Sequence, residues 1–237
     1  MKSPFVRKSI GRLAAAAGIS LCVTSAWTSA AVVYQVSINT SSLVPDSTDT
    51  PFSLQLELIG GGSPNVSNSA TFSNFHFSTG SAGNASSIFE TGDVSNNASL
   101  SSTVTLDTDN GAASVFSQYF SPGSTLTFTV DTTENLVDAT TGPYSPDGLS
   151  IQILDSAFNA VPTLDPDGTG SLVMFTYADP SLTTATYASN PSQPTTGGEF
   201  LSIPAPTLTA VVPEPMGTAL FAFAGLITLR RRARTNG

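Results

Sequence analysis

The residues of this 237-residue chain that could do chemistry are few, and each type points to a different reaction. His76 is the only histidine, so any Ser-His-Asp triad has to use it. It lies between Phe75 and Phe77, which on a strand turns its ring to the face opposite theirs. No Gly-x-Ser-x-Gly elbow surrounds a serine. The commoner reading is a solvent-facing polar residue. One histidine and the single Cys22 do not make an ordinary zinc site.

Carboxylates offer two further chemistries. Glycoside hydrolysis needs two facing acids. Glu57 projects from a regular strand, with Glu90 or Glu134 as distant partners, and nothing in the spacing pairs them. Calcium needs several hard oxygen ligands in a flexible loop. "LDPDGTGS" sets Asp165 and Asp167 two apart, and "LDTDNGA" does the same with Asp107 and Asp109. Alternate acids on a tight loop can turn their oxygens inward together, so Ca2+ is the one cofactor these loops could hold. Neither is an EF-hand, and Asp, Asn and Gly are equally the ordinary residues of turns. For sugar binding, Tyr119, Tyr144, Tyr177 and Tyr187 are the candidates for an aromatic platform.

Charge closes off other functions. The eight Lys and Arg residues lie at 2–12 and 230–234, whereas all 17 Asp and Glu residues lie between them. The body therefore lacks the cations that nucleic-acid phosphates require, and anionic lipid surfaces are equally unsuitable partners. It has no arginine to clamp a carboxylate and no lysine for a Schiff base. A non-enzymatic role is the expectation.

The elements that must position these residues have a period of two. Phe52, Leu54, Leu56 and Leu58 alternate with Ser53, Gln55 and Glu57; Leu126, Phe128 and Val130 alternate with threonines. Tyr34–Ile38 and Leu149–Ile153 repeat the pattern, with weaker strands at 70–77, 101–106, 115–120 and 172–177. Each reads as a strand with one wet face, and threonine there favours extended backbone. Turn signals such as Gly60-Gly61-Gly62, Ser121-Pro122-Gly123 and Pro146-Asp147-Gly148 separate them. The expected fold is all-β: a single antiparallel β-sandwich, jelly-roll-like, of about eight or nine strands over residues 32–179. Residues 180–211, with five prolines among Ser, Thr and Gly, read as a linker that could carry a last strand near Leu208–Val212.

Both ends carry signals. A basic start, an apolar stretch from Leu13 to Val23, and small residues before Ala30 and Ala31 form a signal peptide over residues 1–31, cleaved after Ala30 or Ala31. At the other end, Pro213-Glu214-Pro215 precedes an apolar run, Met216–Leu229, and then Arg230, Arg231, Arg232 and Arg234. The run is 14 residues, about 21 Å as a helix against a hydrocarbon core of about 30 Å. That is a short transmembrane helix, with its arginines cytoplasmic.

This ordered set over residues 212–234 resembles the sorting signal of PEP-CTERM proteins, which are exported bacterial proteins handled by a membrane exosortase. The body is similar to one family of that class at Tyr34–Leu43 (YQVSINTSSL), Gly92–Ser95, Thr103–Asp107 and Leu164–Gly168. The resemblance implies signal peptidase and exosortase as processing partners and transient insertion in the inner membrane of a Gram-negative-type bacterium. It further implies delivery to the cell surface or extracellular matrix, with extracellular polysaccharide as the partner there. It supplies no catalytic residue.

Overall fold

A computed structural model describes residues 32–44, 49–62, 67–108, 113–136, 144–179 and 181–211. The expected signal peptide, the sorting motif with its short helix, and Asp109 lie outside the described residues. No described helix is long and apolar enough to cross a membrane.

The described chain is all-β, in two antiparallel sheets packed face to face. One has the order β13(Thr207–Val211), β1(Val32–Asn39), β9(Thr125–Thr132), β3(Ser69–His76), β7(Val104–Asp107), β6(Asp93–Val94). The other runs β12(Ser181–Thr186), β11(Val173–Ala178), β10(Gly148–Leu154), β2(Phe52–Ile59), β8(Ala113–Ser121), β4(Ser81–Ala82), and β5(Phe89–Thr91) also pairs with β8. These are more strands than the eight or nine expected over residues 32–179, because β4, β5 and β6 have only two or three residues and β12 and β13 lie beyond residue 179.

The alternation read in the sequence becomes the core. Phe52, Leu54, Leu56 and Leu58 of β2 are fully buried, as are Leu149, Ile151 and Ile153 of β10. Val36, Ile38, Phe128 and Val130 meet them from the opposing sheet. Each such side chain contributes about 1.5–3 kcal/mol by leaving water. Across the two layers, the Tyr34 ring meets Phe175 edge-on at 5.1 Å.

The phase slips once. In β3, Ser73 faces Thr129 but His76 faces Thr127, so one extra residue is inserted. Asn74 takes it up with φ of 56°, a left-handed value that Asn tolerates better than most residues. Ala70 and Phe72 point inward before the bulge. Phe75 packs against the core after it, 5.4 Å from the Phe128 ring.

The segment read as a linker belongs to the sandwich. Ser181–Thr186 pairs with β11 along its whole length, and Thr207–Val211 pairs with β1. Between them Leu201 and Ile203 are buried without forming a strand. Ser189 Oγ donates to the Leu201 carbonyl at 2.8 Å and accepts the Ile203 amide at 2.7 Å. Proline and small polar residues mislead here, because pairing is supplied by a partner strand and not by local propensity.

Two buried carboxylates fasten this segment. Asp49 accepts the Gly197 amide at 2.8 Å and the Thr195 hydroxyl. Asp155 accepts the Thr196 amide at 3.1 Å and the amides of Ala157 and Asn159 at 2.9 and 3.0 Å. Asp147, buried near the opposite end of β10, accepts Gly61 N at 2.6 Å and Asn68 Nδ2 at 2.9 Å. A side chain on Gly61 would place its Cβ 1.7 Å from the Ser145 carbonyl, so only glycine allows that approach. In a body without Lys or Arg, backbone N–H groups, hydroxyls and the Asn68 amide satisfy the buried acids.

Candidate functional site

Neighbours in a ladder share a face, so register fixes what the outer face of the seven-stranded sheet displays. Gln55 of β2 pairs with Ser117 of β8 and Gln152 of β10; Ser53 pairs with Tyr119 and Leu154. These residues turn outward because Leu54, Leu56 and Phe116 turn inward. Gln55, Ser117, Tyr119 and Leu154 form the floor of a cleft of about 520 Å³, within the usual size of ligand sites.

Two walls rise from this floor. One is the stretch from Ser86 to Phe89, which leads from a 3-10 turn at Ala85–Ser87 into β5. Ser87 Oγ anchors it by accepting the Tyr119 amide at 3.3 Å and donating to the Asn84 carbonyl at 2.7 Å. Gln118, on the inner face, donates to the Gly83 carbonyl at 2.7 Å. Phe89 remains 57% exposed.

The other wall is Phe158, at the tip of the turn after β10. The Asp155 amide donates to the Asn159 carbonyl, the Phe158 amide to the Asp155 carbonyl, and Leu154 bridges Ala160. Phe158 sits there at φ 60°, a position where hairpin loops of this kind ordinarily use glycine. A bulky side chain costs about 1–2 kcal/mol in that conformation. Yet the ring is 53% exposed and stacks on Tyr119 at 5.7 Å, 26° from parallel. Backbone strain that displays an aromatic ring at a cleft makes Phe158 a candidate functional position.

The polar groups of the cleft are neutral. Gln55 Nε2 donates to Gln152 Oε1 at 3.2 Å and Glu57 Oε2 at 3.4 Å. Ser117 is only 3% exposed, and its Oγ has no hydrogen-bond partner. Buried hydroxyls without partners are rare enough to demand a reason.

The other sequence candidates are dispersed. Of the four tyrosines, only Tyr119 lines the cleft. Tyr177 was expected to be exposed and is fully buried: it shares the inward phase of Val173 and Phe175, and its hydroxyl bonds Thr132 Oγ1 from the opposing sheet. Burial pushes its phenol far above the ordinary range. Tyr144 precedes β10, at the end of that strand remote from Leu154. Tyr187 lies half-buried beyond β12, its pKa raised by burial and then by Asp165 and Asp167.

Glu57 faces Val115 of β8, whereas Glu90 faces Phe116. Consecutive residues project to opposite faces, so these two acids cannot converge. Glu134 follows β9, in the other sheet. His76 is exposed, and its Nδ1 accepts the Ser78 amide at 3.3 Å.

Asp165 organises its own turn. Its carboxylate accepts Asp167 N and Thr169 N, each at 3.1 Å, and the Thr169 hydroxyl. Burial opposes its ionisation, but these bonds outweigh that and lower its pKa. Asp167 is exposed. Asp107 stands directly opposite Asp93 in the β6–β7 pair. No group of three or more metal-ligating side chains occurs among the described residues.

Sequence reasoning missed Phe89, Phe158, Gln55 and Ser117. Only Phe158 left a trace, as a lone aromatic inside the polar turn Asp155–Asn159. In comparisons with known proteins, no family model, no curated protein and no solved structure matched this chain.

Proposed function

We propose that this chain is an exported, non-enzymatic binding protein of the cell surface or extracellular matrix. Its jelly-roll-like sandwich takes up a carbohydrate in the Tyr119–Phe158 cleft. Signal peptidase and exosortase process its two ends, the latter at Pro213-Glu214-Pro215. The observation that carries the reading is the stacked Tyr119–Phe158 pair, displayed with exposed Phe89 above a floor of hydroxyl and amide groups. Aromatic rings take the apolar faces of sugar rings, while polar groups at the rim and floor fix their hydroxyls. The terminal motifs supply the argument for export and sorting.

Titration of the exported protein with an oligosaccharide panel tests the binding role. Saturable heat that disappears in Phe158→Ala supports it; no response to any glycan refutes it. The mass of the protein recovered from culture medium tests the sorting. A product that retains Arg230 to Arg234 contradicts exosortase handling.

A further inference from the structure

We infer that the cleft selects an uncharged glycan, a short neutral oligosaccharide, and rejects acidic polysaccharide. The inference rests on the carbohydrate reading and narrows it. Three aromatic residues, Phe89, Tyr119 and Phe158, and the aliphatic Ile88 and Leu154 offer apolar surface, and every polar residue of the lining is neutral: Gln55, Ser86, Ser87 and Ser117.

Electrostatics set the selection. A negative charge stands one hydrogen bond behind the lining, since Gln55 Nε2 lies 3.4 Å from Glu57 Oε2. No Lys or Arg occurs anywhere between Arg12 and Arg230. A uronate or sulfate entering the cleft would lose water and gain no cation, with a carboxylate one hydrogen bond behind the lining. An uncompensated buried charge is far costlier than a neutral hydroxyl. Specificity of this kind comes from repulsion of the wrong ligand as much as from attraction of the right one.

Ser117 supplies the matching attraction. Its hydroxyl is buried in the cleft floor without a protein partner. The oxygen is closed to solvent in the empty cleft, so a sugar hydroxyl meets it only when the side chains above it shift, and can then both donate to it and accept from it. A carboxylate ligand could accept its proton, but only while bringing in the charge that the site cannot balance. The same hydroxyl therefore weakens the empty protein and strengthens the complex.

Calorimetric titration of the full exported protein with neutral gluco-, galacto- and manno-oligosaccharides, and with the oligouronates of equal length, tests this. A neutral oligosaccharide is expected to bind, with its uronate counterpart weaker by about tenfold or more. Glu57→Gln should narrow that gap. Ser117→Ala should raise the melting temperature while weakening the neutral ligand by about tenfold, the effect of one lost buried hydrogen bond. Uronates that bind as tightly as neutral sugars would overturn the charge selection and leave the carbohydrate reading standing. Silence across the whole panel would overturn both. So would a cleft filled by a second copy of the chain, seen as concentration-dependent dimerisation abolished by Phe158→Ala. A Ser117→Ala variant with unchanged affinity would remove the role assigned to that hydroxyl.

Discussion

The Asp155 carboxylate accepts the Thr196 amide at 3.1 Å, joining the turn after β10 to a segment 41 residues further on. With Asp49 on Gly197, it fastens residues 195–197 to the sandwich. Burial alone would raise the Asp155 pKa. The bonds from Thr196, Asn159 and Ala157 outweigh it and hold the carboxyl below its ordinary value.

Acid sensitivity follows. Asp155 and Asp165 both have folded-state pKa values lowered from 3.8. Their stabilisation is complete above the unfolded value, about 3.9, and is lost as pH falls through the folded values. Urea unfolding between pH 7 and pH 2 should show a fall beginning near pH 4. Asp155→Asn should lower stability at pH 7 by about 1–3 kcal/mol, because an amide cannot accept at both positions. It should also flatten the acid limb. An unchanged limb in that variant would detach the pH dependence from Asp155.

Phe158 separates stability from binding. Its left-handed backbone predicts that Phe158→Gly is more stable than Phe158→Ala by about 1 kcal/mol. Both should lose the sugar equally, since both remove the ring that stacks on Tyr119. Denaturation midpoints and titrations of the two variants provide the check. Equal stabilities would mean that the turn relaxes.

Tyr177→Phe removes the hydrogen bond that ties the two sheets through Thr132. Thr132 Oγ1 retains the Ser69 carbonyl as an acceptor at 3.1 Å, so no orphaned donor remains. The expected loss is about 0.5–1.5 kcal/mol, read as a lower denaturant midpoint with an unchanged slope. A loss several times larger would mean that the ring itself had moved.

Asp165 can be tested as a turn organiser against its reading as a calcium ligand. Asp165→Ala should cost about 1–3 kcal/mol in a chelator-containing buffer, because three internal hydrogen bonds vanish without any metal. If the variant matches the parent protein there and differs only with added calcium, the metal reading prevails.

What the sequence made legible was whatever repeats along one strand. The period-two pattern of Phe52–Leu58 or Leu126–Val130 needs no partner to be read, and its inward residues are the core. Tyr177 was legible by the same rule, since it follows Val173 and Phe175 at even spacing; a polar hydroxyl suggested exposure, and Thr132 supplied the partner that permits burial. Ser181–Thr186 was not legible. Its large apolar residue is Leu182 alone, and its identity as an edge strand comes from pairing with β11. The cleft was least legible of all. Gln55, Ser87, Tyr119 and Phe158 lie on separate segments, and the β2–β8, β2–β10 and β5–β8 pairings bring them together. The alternation fixes which face each residue takes, but which strands lie side by side is a long-range property.

The pairing of Val33 with Val211 has a consequence for assembly. β1 sits between β9 and β13, so the first strand acquires its last neighbour only when the end of the described chain is made. Nearly the full length must be looped out before that contact forms, which slows folding and delays its completion. The described fold closes where its first strand meets its last, like a clasp.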